Sequence, residues 1–172
     1  MAFSYKLIDS PVGQLKLVAS DKGLAAIVWE GDDPRRVRLN PLVEDRGNPI
    51  LVETERQLTL YFAGKLKAFA VPLDFQGTAF QKRVWQALLT IPFGETRSYG
   101  EIARQIGRPS ASRAVGAANG KNPISIIAPC HRVIGSAGGL TGFAGGLAVK
   151  QRLLELEGSR PRCFSGGRAP CP

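Results

Sequence analysis

Residues 126–135 have the sequence IIAPCHRVIG, and the rest of the chain is organised around this stretch. Its apolar run, with Pro129 at one end and a glycine turn at the other, predicts a buried extended segment. Cys130, one of three cysteines, is followed at once by the only histidine, His131. A thiolate is a nucleophile and an imidazole can accept its proton, so the pair indicates a reactive site. The alternative is a buried structural thiol, since cysteine is often fully buried.

The geometry of an extended segment limits how this pair can work. Adjacent side chains of a strand point to opposite faces. Direct contact between Cys130 and His131 therefore requires a turn or an intervening water.

Composition describes a globular protein of 172 residues, enough for one ordinary domain or two small ones. No stretch approaches the roughly 18 consecutive apolar residues of a membrane helix, and the N-terminus lacks the pattern of a signal peptide. We therefore expect a cytoplasmic protein without a membrane partner. The cysteines show no metal-ligand spacing and one histidine leaves little for zinc, so we expect no metal and no cofactor.

The net charge of +9 is carried by the second half of the chain. Residues 1–75 contain ten basic and ten acidic side chains, whereas residues 76–172 contain thirteen basic and four acidic ones. Charge concentrated in one half is typical of a protein with a polyanionic partner such as nucleic acid. A solvated basic face without a ligand is the alternative.

Residues 1–75 predict a small α+β scaffold domain. Three apolar runs separated by turn sequences predict a β-meander, at residues 5–8, 14–19 and 24–29. Residues 31–47 predict a loop or a short helix. Asn48 is placed to cap a helix that Gly64 ends, and residues 66–73 could return as a strand.

Residues 76–158 predict a mostly helical domain. Four helices are expected, over residues 79–90, 99–106, 111–119 and 147–157. Two of them begin at capping boxes, which are Thr78 with Gln81 and Ser98 with Glu101. Residues 159–172, rich in Gly, Pro and Arg, predict a disordered tail.

The second and third of these helices, joined by a Gly-containing turn, predict a helix-turn-helix. Ser110 is expected to cap the third helix, in which nearly every residue is small and Arg113 is the one long side chain of the first turns. Small residues allow a helix to approach a groove closely, and one arginine can then reach into a duplex. Tight packing against a neighbouring helix is the alternative, but the local positive charge favours nucleic-acid binding.

Together these residues resemble the O6-alkylguanine-DNA alkyltransferase family, the methylated-DNA–protein-cysteine methyltransferases. The matching segments are Asn122-Pro123, Pro129-Cys130-His131-Arg132-Val133, Gly142-Phe143-Ala144-Gly145-Gly146 and Glu157-Gly158. The resemblance implies an α+β fold with an RNase H-like N-terminal domain before the helical one. It implies DNA repair by irreversible, single-turnover transfer of the alkyl group from O6-alkylguanine, and from O4-alkylthymine, in duplex DNA to Cys130, with base flipping. It also implies a monomer, with cooperativity on DNA left open.

The resemblance implies roles for single residues. Glu157 and His131 would activate Cys130 through a water, Asn122 would tie the recognition helix to the active-site strand, and Tyr99 would protonate the leaving base. The residues expected to bind the substrate base are Val133, Phe143 and Ala144. The residues expected to bind DNA are Tyr99, Ser112, Arg113 and Ser136.

Two positions depart from many relatives. Phe143 stands where they have tyrosine, so we expect an apolar wall and an altered preference among larger alkyl groups. The small Ala144 would leave a roomier pocket.

Other classes of protein are a non-catalytic alkyl-lesion DNA-binding protein, a helix-turn-helix regulator and a Cys–His hydrolase. The presence of Cys130 disfavours the non-catalytic DNA-binding protein. A helix-turn-helix regulator leaves the matches at 129–133 and Glu157 unexplained. The third would ignore DNA.

Overall fold

The computed structural model of the chain describes residues 2–135 and 143–159. They form two compact units. The first comprises residues 2–76 and Pro123–Ser125, and the second comprises Gly77–Asn122 and the described residues from Ile126 onward. Among these residues no helix combines the length and apolar character needed to cross a membrane.

The first unit is a four-stranded sheet with the order β3-β2-β1-β4 and one helix. Its elements are β1 (Phe3–Ile8), β2 (Leu15–Ala19), β3 (Leu24–Trp29), β4 (Leu42–Glu44) and α1 (Pro49–Phe62). The first three strands pair antiparallel, so the predicted meander is confirmed. Asn48 caps α1 as predicted, because its side chain accepts hydrogen bonds from the N–H groups of Ile50 and Leu51.

Two expectations for this unit are wrong. Residues 31–47 contain β4, which pairs parallel with β1; its three residues are too few to carry an alternating pattern. The strand expected over 66–73 is reduced to one bridge between Leu73 and Leu24. Its backbone bonds go elsewhere, since the amide of Gln57 accepts from Ala70 N–H at 2.8 Å and donates to Ala70 O at 3.3 Å.

A short segment from later in the chain completes the first unit. Ile124 bridges Ile27 of β3, and the indole Nε1 of Trp29 donates to Ser125 Oγ at 3.1 Å. The chain returns to the second unit at Ile126, four residues before Cys130.

The second unit is mostly helical. Its elements are α2 (Ala79–Leu88), β5 (Arg97–Ser98), α3 (Tyr99–Gln105), α4 (Ser112–Gly120), β6 (Val133–Ile134) and α5 (Leu147–Leu156). Both predicted capping boxes are formed, at the starts of α2 and α3. Trp85 fixes α2 against α4 through a buried hydrogen bond of 2.8 Å from Nε1 to Ala118 O. β5 pairs parallel with β6, which joins the start of α3 to the Cys130 segment.

The expected cap of α4 is wrong. Its N-cap is Ala111, with no side-chain hydrogen bond, and the helix begins at Ser112. Main-chain bonds from Arg108 to Ala103 O and from Ala111 to Arg108 O add a turn after α3, and this places Ser110 before the helix start. At the other end of the unit Gly158, with φ of 73°, follows α5 as predicted. The tail expected over 159–172 lies, after Ser159, outside the described residues.

Candidate active site

Cys130 lies on a 3-10 turn, Cys130–Arg132, and is 3% exposed. Residues 126–134 are buried as expected, but of the extended segment expected in this stretch only β6 is a strand, because Ile126 has a positive φ of 75° and the chain turns through residues 125–127. Successive side chains of a 3-10 turn diverge by about 120°, not by the 180° of a strand. The turn therefore removes the geometric obstacle to joint action by Cys130 and His131.

His131 is held by Glu157 at the end of α5. Its Nε2 lies 2.7 Å from Glu157 Oε2, and both side chains are completely buried. The Glu157 carboxylate also accepts bonds from Arg132, at 2.8 Å from Nε and 3.0 Å from Nη2. Arg132 is fixed in turn by a 2.6 Å bond from Nη1 to Ile91 O. The turn and α5 are thus joined by a buried cluster of three polar side chains.

Electrostatics set the protonation states in this cluster. Burial opposes the charged carboxylate of Glu157, but hydrogen bonds from His131 and Arg132 outweigh it and lower the pKa to about 2. An ionised carboxylate can only accept, so His131 Nε2 carries the proton and Nδ1 is the acceptor. Burial lowers the pKa of His131 and outweighs the hydrogen bond that Nε2 donates to Glu157, which acts in the opposite direction. At neutral pH the imidazole is therefore neutral and able to take up a proton at Nδ1.

Lys150 is a second buried cation near the thiol. Its Nζ donates to Val133 O at 2.6 Å, and its relative exposure is 0%. Burial lowers its pKa to about 8, while the charge of a Cys130 thiolate would favour the ammonium form. Lys150 thus brings a positive charge to the nucleophile from α5.

Two asparagines link α4 to the backbone around Cys130. Asn122 Nδ2 donates to Ala128 O at 2.8 Å, and Asn119 Nδ2 donates to Cys130 O at 3.4 Å. Both amides are buried. The predicted tie from Asn122 to the active-site segment is therefore present as a contact, and Asn119 supplies another.

A separate concave surface of about 520 Å³ lies between α3 and α4. It is lined by Ser98, Tyr99, Gly100, Arg104, Ser112, Arg113 and Gly116. A Cβ on Gly116 would lie 3.7 Å from the Tyr99 ring, an ordinary van der Waals distance, so Gly116 of α4 faces Tyr99 of α3. Three residues predicted to bind DNA, Tyr99, Ser112 and Arg113, therefore share one surface.

The residues predicted to bind the substrate base surround the turn in part. Val133 is fully buried in β6, directly after the turn. The Phe143 ring meets the His131 ring edge-on, with 6.4 Å between centroids. Phe143 and Ala144 are both partly exposed. Ser136 lies outside the described residues.

Three buried polar residues of the site were not predicted from the sequence, namely Asn119, Arg132 and Lys150. A signal existed for Lys150, which stands three residues before Leu153 and four before Leu154, the two buried leucines of α5. Arg132 lies within the matched segment at 129–133, but the resemblance implied no role for it. No sequence pattern distinguishes Asn119 from an exposed polar residue at a helix end.

Comparisons with known proteins agree for both units. Residues 3–75 match the family model for the ribonuclease-like domain of 6-O-methylguanine DNA methyltransferase, and residues 79–159 match the model for its DNA-binding domain. A methylated-DNA–protein-cysteine methyltransferase of Mycobacterium bovis is 54% identical over 158 residues, covering 91% of this chain and 93% of that protein. A protein of the same name from Methanosarcina acetivorans is 51% identical over 155 residues, covering 90% of this chain and 98% of that protein.

Solved structures give the same result. The crystal structure of Mycobacterium tuberculosis OGT in complex with DNA has a TM-score of 0.83 and 51% identity, covering 92% of this chain and 93% of that chain. An O6-methylguanine DNA methyltransferase from Methanococcus jannaschii has a TM-score of 0.64 and 26% identity, covering 90% and 94%.

Proposed function

Since this chain belongs to the methylated-DNA–protein-cysteine methyltransferase family, we propose that it removes the alkyl group from O6-alkylguanine in duplex DNA onto its own Cys130. The resemblance stated from the sequence, the α+β fold class and the enzyme class are confirmed. The observation that carries the proposal is the buried contact of 2.7 Å between His131 Nε2 and Glu157 Oε2. His131 directly follows the buried Cys130 on the same 3-10 turn.

The first step of the reaction is deprotonation of the thiol. Cys130 gives its proton to a water, which passes a proton to Nδ1 of His131, and Glu157 stabilises the resulting imidazolium. Glu157 thus has the part that the acid has in a catalytic triad. The ammonium group of Lys150 interacts electrostatically with the Cys130 thiolate and therefore favours deprotonation of the thiol.

The second step is displacement at the alkyl carbon. The Cys130 thiolate forms a carbon–sulfur bond as the bond from that carbon to O6 of guanine breaks. The electron pair stays on the guanine, which takes a proton from the hydroxyl of Tyr99. Because the thioether product is not hydrolysed, each protein molecule reacts once.

The burial of Cys130 supports a mechanism in which the damaged nucleotide leaves the stack. The sulfur of a cysteine that is 3% exposed is out of reach of an alkyl group inside a duplex, and this favours a flipped base. Arg113 would fill the vacated space, with Ser112 beside it on α4 and Tyr99 across the shared surface. Val133, Phe143 and Ala144 would line the pocket for the flipped base, and Ser136 would bind DNA.

We propose the same chemistry for O4-alkylthymine, and a monomer as the active form. The structure of the M. tuberculosis relative with DNA supports DNA as the partner. A non-catalytic lesion-binding protein would have no use for an activated thiol. The buried cluster of His131, Glu157 and Arg132 next to Cys130 therefore favours the enzyme.

Intact-mass measurement after incubation with a short duplex containing O6-methylguanine tests the proposal. We expect one methyl group per molecule, mapped to Cys130, and no further turnover. Cys130→Ala should bind the duplex and gain no mass. The double variant Cys163→Ser, Cys171→Ser is the matched control and should be methylated like the unchanged protein. Methyl gain by Cys130→Ala, or binding without any methyl gain by the unchanged protein, would refute the proposal.

A further inference from the structure

Asn119 is a buried polar residue whose role is only half explained by its contacts. It lies on the last turn of α4, is 3% exposed, and donates from Nδ2 to Cys130 O at 3.4 Å. That carbonyl already accepts the main-chain N–H of Val133, which closes the 3-10 turn. The side-chain Oδ1 of Asn119 is buried and has no hydrogen-bond partner among the described residues. A buried acceptor without a donor is costly and calls for a cause.

A second such acceptor belongs to the same turn. Nδ1 of His131 is buried and has no partner among the residues that the structure describes. Because Nε2 donates to the ionised Glu157, Nδ1 carries a lone pair. Among the described residues, three buried side-chain polar atoms have no hydrogen-bond partner. Two of them lie on residues next to Cys130, namely His131, which follows it in the chain, and Asn119, which donates to its carbonyl.

One water has enough donors for both acceptors. A water has two O–H donors and can accept the thiol proton, and buried waters typically make about three hydrogen bonds to otherwise unpaired polar groups. A proton relay from Cys130 to His131 uses one O–H, directed at Nδ1. The other O–H then needs an acceptor in a site closed to bulk water, and Asn119 Oδ1 is available.

We propose that Asn119 is a positioning residue whose Oδ1 accepts the second O–H of the water that relays the Cys130 proton to His131. The inference rests on the proposed function. The water takes the proton from Sγ and gives one of its own to Nδ1, so it ends as water again, beside a thiolate and an imidazolium. Asn119 exchanges no proton; it fixes the orientation in which the transfer occurs.

The relay matters only while the thiol is protonated. At alkaline pH, where the solvent itself deprotonates an ordinary thiol, the thiolate forms without His131. The charged groups around the relay are Arg132 of the same turn and Lys150 and Glu157 of α5. These groups are the same in an Asn119 variant. The rate of the variant divided by the rate of the unchanged protein at each pH therefore isolates the effect of Asn119 on the relay.

The test is the rate of Cys130 alkylation by free O6-benzylguanine between pH 6 and 9.5, followed by intact mass. Asn119→Leu replaces the amide by an apolar group of similar size, and Asn119→Ala serves if the first variant does not fold. We expect about a three- to tenfold loss of rate at pH 6.5, the value of one hydrogen bond, shrinking to less than about twofold at pH 9.5. Val115→Ala, which shortens a buried apolar side chain of the same helix, is the control and should show no pH-dependent loss.

The outcomes separate three cases. A loss confined to low pH supports the inference. An equal loss at every pH means that Asn119 only holds the backbone of Cys130, and no loss means that it is dispensable; either overturns the inference while the proposed function stands. No benzyl transfer to Cys130 by the unchanged protein at any pH would instead count against the proposed function.

Discussion

His131 Nε2 and Glu157 Oε2 are 2.7 Å apart, with both side chains completely buried. The same carboxylate pairs with the guanidinium of Arg132, whose side chain is 7% exposed. Glu157 therefore has two tasks, since it neutralises a buried cation and sets the tautomer of the imidazole. Changes at this residue should affect stability and reactivity together.

Glu157→Gln is expected to weaken the protein and slow the reaction. The amide keeps the shape of the side chain but leaves Arg132 buried without a counter-charge, which costs about 3–5 kcal/mol in the free energy of unfolding. It also removes the stabilisation of the imidazolium, so we expect a rate loss of about 10² or more. Urea denaturation and the rate of O6-benzylguanine transfer measure the two effects.

Glu155→Gln is the matched control for this substitution. Glu155 is exposed on the same helix, and its carboxylate accepts a hydrogen bond from Gln151 Nε2 at 3.1 Å. The free energy of unfolding of Glu155→Gln should stay within about 0.5 kcal/mol of that of the unchanged protein. If Glu157→Gln behaves like this control, the buried cluster does not stabilise the fold.

Acid should destabilise the protein through its single histidine. Burial lowers the pKa of His131 in the folded state, whereas the unfolded chain takes up this proton near pH 6.5. The unfolded state thus binds more protons below that pH, and the free energy of unfolding falls by up to about 1.4 kcal/mol per pH unit. Urea titrations between pH 7.5 and 5 should reveal the slope.

His131→Gln identifies the source of that slope. The variant has no imidazole to titrate, so its free energy of unfolding should change much less between pH 7.5 and 5. Glu157, with a pKa lowered to about 2, adds a separate loss only as the pH falls below about 4.3, where an exposed glutamate is protonated. A slope that survives in His131→Gln would assign the acid sensitivity to other groups.

Local signals in the sequence were enough for most helices and the meander. A capping box such as Thr78 with Gln81 joins residues three apart, and its geometry depends on nothing else in the fold. The N-cap Asn48 is similar. The edge strand β4 was missed because its pairing with β1 is set across nearly forty residues of chain, in a segment of three residues.

The Cys130 turn was beyond the reach of such signals. Residues 126–128 are apolar because they are buried, and burial alone does not distinguish a strand from a turn. The positive φ of Ile126 is unfavourable for a β-branched residue, so only its surroundings can impose it. The helical spacing of Lys150 indicates burial, but its partner, Val133 O, lies seventeen residues away and no local pattern identifies it.

Lys150→Met should change the response of stability to alkali. Burial lowers the pKa of Lys150 to about 8, against about 10.4 in the unfolded chain, so the unfolded state binds more protons between these values. The free energy of unfolding of the unchanged protein should therefore rise over pH 8–10.4, relative to the variant, by on the order of 3 kcal/mol. Urea titrations at pH 7.5 and 10 measure this difference.

Lys121→Met is the control for the alkaline experiment. Lys121 is exposed directly after α4. Removing its charge should therefore give a free energy of unfolding with the same pH dependence as that of the unchanged protein. A Lys150→Met profile parallel to that of the unchanged protein would show that the buried amine does not titrate in this range.

Arg113→Ala should separate base extrusion from the chemical step. Arg113 is exposed on the surface between α3 and α4 and is no part of the buried cluster around Cys130. Only a duplex demands that a nucleotide be held out of the stack, at a cost of a few kcal/mol. We therefore expect repair of O6-methylguanine in duplex DNA to slow by about tenfold or more, and the reaction with free O6-benzylguanine to change by less than about twofold. Arg113→Lys keeps the charge and controls for simple attraction to phosphate; if it repairs duplex DNA as fast as the unchanged protein, or if alanine slows both substrates equally, Arg113 does not act by filling the vacated space.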